Sequence, residues 1–315
     1  MPQNAIKIEQ LTKIYEGGFK ALNAIDLVIP KGSFFGLLGP NGAGKTTTIG
    51  ILTGLVNLTS GAAFAMGKDV VKDFREARLM MGLSPQELNF DVFFTIRQLL
   101  ILQAGYYGLP KSRATERTDL MLKRFGLTDK ADNTARELSG GMKRRVQIAK
   151  ALVHDPPIII LDEPTAGVDI ELRHMLWDYL RELNRKGKTI LLTTHYIEEA
   201  EALCDRVAII DQGVIVKEGS PQELINTLGT GSIEIKVHHI PTDLSMEPWK
   251  FSQSEGTLHI PTSRPEADMP KIINILTRLE VTIEEVKICK SSLEDVFLKL
   301  TGRSLLEDTM ESENV

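Results

Sequence analysis

The chain has 315 residues, 42% hydrophobic and 25% charged, a globular composition long enough for one large domain or one domain with a small appendage. A net charge of -5 gives no electrostatic footing for nucleic acid, and none is expected as a partner. Two cysteines, Cys204 and Cys289, are too few for a disulfide framework and are expected as free thiols in a reducing cytosol.

Residues 1–5 lack the basic-then-apolar order of a signal peptide. The longest apolar runs, such as 158–161 and 190–192, fall far short of the ~20 residues that cross a bilayer. A soluble chain is expected, one that serves a membrane process only through a partner.

In chain order, 5–11 and 22–29 are rich in Ile, Leu and Val and read as strands around a Gly17-Gly18 turn. A third apolar run, 33–38, ends in a glycine-rich loop, and a helix is expected from 44 to 52. Over 95–130 the pattern changes: Ile96, Leu99, Leu100, Gln103 and Tyr107 recur at helical spacing, and 120–125 forms a second helical patch. This predicts a mostly helical insertion over about 87–150 in an α/β domain.

From 158 the alternation returns. Residues 158–161 read as a buried strand, and Leu172, Met175, Leu176, Tyr179, Leu180 and Leu183 form a helical stripe. A strand at 189–193 and a helix at 197–203 follow, a rhythm that implies parallel strands joined by crossovers. Segments 207–210 and 214–217 flank Asp211-Gln212-Gly213 as a hairpin. Gly229-Thr230-Gly231 marks a linker. Beyond it, strands near 232–238, 257–260 and 281–288 with helices near 268–279 and 292–300 predict a small α/β appendage. The expected organisation is 1–228, 229–305 and a flexible tail, 306–315.

Gly39-Pro40-Asn41-Gly42-Ala43-Gly44-Lys45-Thr46 fits G-x-x-x-x-G-K-[ST] in full, between a predicted strand and a predicted helix. Glycines let the backbone turn its N–H groups toward phosphate oxygens, and the helix N-terminus favours the anion. Lys45 is expected on the β- and γ-phosphates and the Thr46 hydroxyl on Mg²⁺, with Thr47 completing the nucleotide set. Asp162 ends the buried 158–161 run and is expected to hold Mg²⁺. Glu163 follows it, placed to orient or deprotonate the attacking water; alternatively it is only a helix-start acid beside Pro164.

Leu138-Ser139-Gly140-Gly141-Met142-Lys143-Arg144-Arg145 precedes an apolar-periodic stretch. Ser139 suits an N-cap, and the glycines leave N–H groups open to an anion. Alone, this motif reads as a capped helix with a basic solvated face.

The order of these three motifs resembles ATP-binding cassette (ABC) ATPases over residues 5–228. The resemblance implies a P-loop NTPase cassette of the α/β class, with an N-terminal antiparallel β subdomain, a RecA-like core and the helical insertion. It implies that Tyr15 stacks on adenine, that Gln86 reaches Mg²⁺ and links the nucleotide to the insertion, and that His195 contacts the γ-phosphate. It implies that Ala166-Gly167-Val168-Asp169 crosses to a partner subunit. Ser139, Gly140 and Gly141 of one copy would close on the ATP of the other, giving a homodimer around two ATP-Mg²⁺. Met142 departs from the family glutamine and offers no amide hydrogen bond.

One cassette without a membrane span implies a separate integral-membrane permease and a peripheral place on the cytoplasmic face of a bacterial inner membrane. The stretch 290–302 resembles the ending of ABC-2 type exporter ATPases, drug-resistance subunits included, and also reads as an amphipathic helix whose Leu293, Val296, Phe297 and Leu300 pack on the cassette. Leu88-Asn89-Phe90, 103–108 and 166–173 resemble a multidrug-type subgroup of Gram-negative bacteria. Phe90, Phe93 and Phe94 are candidates for a groove that takes a permease helix, or for the core of the insertion. An importer ATPase and a soluble non-transport ABC ATPase remain the alternatives.

Overall fold

The structure, a computed structural model, describes residues 4–165, 168–229, 231–238, 246–254, 256–262, 264–289 and 291–302. The chain divides into two compact units, Met1–Gly219 and Ser220–Val315. The first runs β1 (Asn4–Ile14), β2 (Lys20–Pro30), β3 (Phe34–Leu38), α1 (Lys45–Thr53), β4 (Ser60–Ala65), β5 (Lys68–Asp69), α2 (Phe74–Leu79), β6 (Met81–Ser84), α3 (Ile96–Tyr106), α4 (Lys111–Arg124) and α5 (Gly140–Leu152). It continues with β7 (Ile158–Asp162), α6 (Ile170–Arg185), β8 (Thr189–Thr194), α7 (Ile197–Leu203), β9 (Arg206–Asp211) and β10 (Val214–Gly219).

Two sheets build this unit. The antiparallel one has the order β2-β1-β4-β5, and the other has the order β10-β9-β3-β8-β7-β6, parallel from β9 to β6. Strands β3, β7 and β8 are buried at every position, as parallel strands covered on both faces require, which is why they read as unbroken apolar runs. β2 instead alternates buried and exposed residues through most of its length. The predicted insertion is α3, α4 and α5. No helix among the described residues is long and apolar enough to cross a membrane.

The second unit runs α8 (Pro221–Leu228), β11 (Gly231–Val237), β12 (Ser252–Ser254), β13 (Thr257–Thr262), α9 (Pro265–Arg278), β14 (Ile283–Cys289) and α10 (Leu293–Thr301). Its antiparallel sheet has the order β12-β13-β11-β14. Ile233, Ile235, Leu258 and Ile260 pack with Ile272 and Leu276 of α9. The boundary lies at Gly219, earlier than the expected 228, because α8 packs against α10. The tail 306–315 lies outside the described residues.

Two features of β6 carry testable consequences. A Cβ on Gly82 would lie 1.9 Å from the Ala151 carbonyl oxygen of α5, so strand and helix meet backbone to backbone. Gly82→Ala should destabilise the first unit by about 1–3 kcal/mol in chemical denaturation. Next to it, His154 stacks on Tyr107 at 3.5 Å and its Nε2 donates to the Met81 carbonyl at 3.2 Å, while Nδ1 is buried with no donor among the described residues. Burial pushes the imidazole down from 6.5 to about 4. The unfolded chain therefore takes up this proton first as pH falls, so the contribution is full above pH 6.5 and is lost toward pH 4. Stability measured across this window should fall less steeply in His154→Gln, the difference reaching about 2–3 kcal/mol.

Candidate functional site

Four parallel strands end side by side. β3 runs into the phosphate loop, β6 into Gln86, β7 into Asp162-Glu163 and β8 into His195. Carboxyl ends of parallel strands are where open α/β sheets hold ligands.

The loop turns into α1 at Gly44, with φ +110°, a conformation that L side chains rarely adopt. Gly39, Pro40, Ala43 and Gly44 are buried, while Asn41 and Gly42 face solvent. Lys45 folds back over this loop, its Nζ donating to the Gly39 carbonyl at 2.7 Å and the Pro40 carbonyl at 3.0 Å. The Thr46 hydroxyl donates to Asp162 Oδ2 at 3.3 Å, and Thr193 Oγ1 donates to Asp162 Oδ1. Tyr15 is half exposed, with its hydroxyl 3.4 Å from Thr47 Oγ1 and Lys13 Nζ 4.7 Å from its ring centre.

Glu163 has left-handed backbone, φ +47°, a strained state for this residue type of the kind that persists at functional sites when its surroundings hold it. Its N–H donates to the Thr193 carbonyl at 3.0 Å. Its Oε2 accepts from Gln86 Nε2 at 3.0 Å and lies 3.3 Å from His195 Nδ1. Glu163 is thus not a helix-start acid: α6 begins at Ile170. Burial works to raise its pKa, but the hydrogen bond from His195 and the charges of His195, Lys45 and Arg144 outweigh it, holding the carboxylate below its ordinary value. Asp162 moves the other way, raised by burial and then by Glu163, against the hydroxyls of Thr193 and Thr46 and the charge of Lys45. Thr46 and Asp162, with the Gln86 amide nearby, supply hard oxygen donors, a set that suits Mg²⁺, which takes few protein ligands and completes its shell with water and phosphate.

Sequence reasoning gave Arg144 no role of its own. It is 4% exposed. Its guanidinium donates to the carbonyls of Pro85 (3.0 Å), Gln86 (2.9 Å), Asp162 (3.0 Å), Pro164 (2.9 Å) and Glu163. The signal was available in the helical period, since Arg144 stands four residues before the buried Ile148. Glu199 was also missed: fully buried on α7, it accepts from Trp177 Nε1 at 3.0 Å, and burial pushes its carboxyl up.

The structure does not bring every predicted residue to this cluster. Ser139 caps α5, its Oγ accepting from the Met142 N–H at 3.3 Å, and Ser139 and Gly140 are exposed while Gly141 is half-buried. Asp169 caps α6 by accepting from the Leu172 N–H at 2.8 Å. Among the described residues, neither of these caps makes a hydrogen bond to the phosphate loop. Ala166 and Gly167 lie outside the described residues. Phe90 is half-buried beneath Lys150, whereas Phe93 is 85% and Phe94 37% exposed.

Comparison with known proteins agrees with this geometry. Residues 22–166 match the ABC transporter family. The chain is 40% identical over 308 residues to the Nod factor export ATP-binding protein I of Burkholderia pseudomallei (strain 1710b), covering 96% of this chain and 98% of that one. It superimposes on an ATP-binding subunit of an ABC transporter with a TM-score of 0.66 and 30% identity, covering 70% of this chain and 91% of that one. A dimeric ATP-binding cassette in a post-hydrolysis state with ADP and Pi gives 0.64 and 28%, covering 68% and 98%. The sheet order, the phosphate loop and the similarity along nearly its whole length agree: the chain belongs to the ATP-binding subunits of ABC transporters, cassette ATPases coupled to transport.

Proposed function

We propose that this chain is the ATPase subunit of an ABC-2 type exporter, closing as a homodimer around two ATP-Mg²⁺ to drive a separate integral-membrane permease from the cytoplasmic side. The observation that carries the proposal is the convergence of Gln86 and His195 on the Glu163 carboxylate beside the phosphate loop. The export name of the relatives supports the direction, and the dimeric cassette of similar fold supports the pairing.

In this reading the loop N–H groups from Gly39 to Thr46, with Thr47, bind the phosphates, and Tyr15 offers its ring to adenine. Lys45 exchanges its two carbonyl acceptors for phosphate oxygens. Thr46, Asp162 and Gln86 would hold Mg²⁺, which supplies charge neutralisation for the β- and γ-phosphates when bound. Glu163 accepts the proton of the attacking water as the bond between the γ-phosphorus and the bridging oxygen breaks, leaving ADP and phosphate. His195 holds that carboxylate ionised and reaches the γ-phosphate. The exposed Ser139, Gly140 and Gly141 close on the ATP of the other copy, and Asp169 belongs to the loop that meets it. Loss of the γ-phosphate removes the contact that joins the copies, and the resulting opening does work on the permease.

With Mg²⁺, Glu163→Gln should carry about one ATP per chain through gel filtration, because binding survives and turnover does not, while Lys45→Ala should carry none. Rapid release of ADP by Glu163→Gln would remove the assignment of the base. Exposed Phe93 and Phe94 fit a surface for a short permease helix better than they fit a core. Alanine at both should reduce recruitment to permease-containing membranes and leave unfolding free energy within about 0.5 kcal/mol. Loss of folding instead would return them to the core.

A further inference from the structure

Among the described residues, the second unit leaves one strand edge uncovered: β14 ends the sheet and pairs with β11 alone. Among the described residues, no hydrogen bond reaches its outward backbone groups. Seven residues of unpaired edge are a template for another strand, whereas the opposite edge, β12, has three.

The charges along this edge are unspent. Glu285 and Lys287 are exposed on either side of Val286. Their cross-strand opposites on β11 are Lys236 and Glu234. Both of those are engaged elsewhere: Lys236 Nζ lies 3.3 Å from Glu284 Oε2, and Glu234 Oε1 lies 3.4 Å from His259 Nδ1. Neither Glu285 nor Lys287 has an ion-pair partner among the described residues.

Two copies of one strand paired antiparallel about a two-fold must set residues of equal hydrogen-bonding phase opposite each other, so one residue faces its own copy. Centring the axis on Glu284, Glu285 or Lys287 sets like charges face to face. Centring it on Val286 does not, and it is the choice that sets opposite charges face to face on the regular stretch beyond the bulge at Glu284. Glu285 then faces Lys287 of the second copy, twice by symmetry.

We propose that β14 is a homodimerisation edge, centred on Val286, that joins two four-stranded sheets into one continuous sheet through reciprocal Glu285–Lys287 pairs. The contact requires no nucleotide and does not rest on ATP-driven closure of the cassettes, so the two readings fail separately.

The test is the molar mass of the full chain, free of nucleotide, by light scattering across a concentration series. Twice the 35.0 kDa of one chain is expected. Glu285→Lys and Lys287→Glu each place like charges opposite one another and should raise the dimer dissociation constant about tenfold or more, while the double exchange should restore it to within about threefold. A nucleotide-free monomer at about 100 μM would overturn the proposal, leaving the charges as guards against pairing. So would a dimer indifferent to both single reversals.

Discussion

One guanidinium holds the reactive end of the sheet together. Arg144 enters from α5, the helix that Ser139 caps, and binds five carbonyls in the segments after β6 and β7. Those segments carry Gln86, Asp162 and Glu163. A buried cation is tolerable only when its donors are satisfied, and here the acceptors are backbone carbonyls at the ends of two strands. The exposed Ser-Gly-Gly turn and the buried acid pair are therefore mechanically linked within one chain. If that turn contacts the nucleotide of another copy, any shift of α5 is felt at the carboxylate.

The acid pair shows how the site divides its labour. Asp162 and Glu163 are neighbours in sequence and both buried, yet they are driven apart in proton affinity. The extended end of β7 turns Asp162 toward the Thr46 hydroxyl. The left-handed backbone at Glu163 then throws the next carboxylate toward Gln86 and His195. Without that reversal, strand alternation would send the two side chains to opposite faces. The strain at Glu163 thus has a geometric purpose, and its N–H bond to β8 helps to hold it.

Much of this was legible in the residues. Unbroken apolar runs located β3, β7 and β8, and the stripe from Leu172 to Leu183 located α6, because burial on two faces and on one helical face leave different periods. The phosphate loop was readable from glycines and a lysine. The stretch over β4 and β5 was not, since Ser60-Gly61-Ala62-Ala63 has weak strand preference and is a strand by virtue of pairing with β1. Likewise α8 was not assigned, and the domain boundary moved with it, because its partner α10 lies far along the chain. Arg144 was passed over, since a charge count says nothing about how many carbonyls wait for it. Glu199 carries no motif at all.

The claim on which the rest depends is that Glu163 acts on the water that attacks ATP. Single-turnover hydrolysis by saturating enzyme, compared between the natural chain and Glu163→Gln at equal ATP occupancy, tests it most directly. The account predicts a rate about 100-fold lower or less, with nucleotide affinity preserved. A rate near that of the natural chain would contradict it, and the convergence of Gln86 and His195 on this carboxylate would then be a structural contact only.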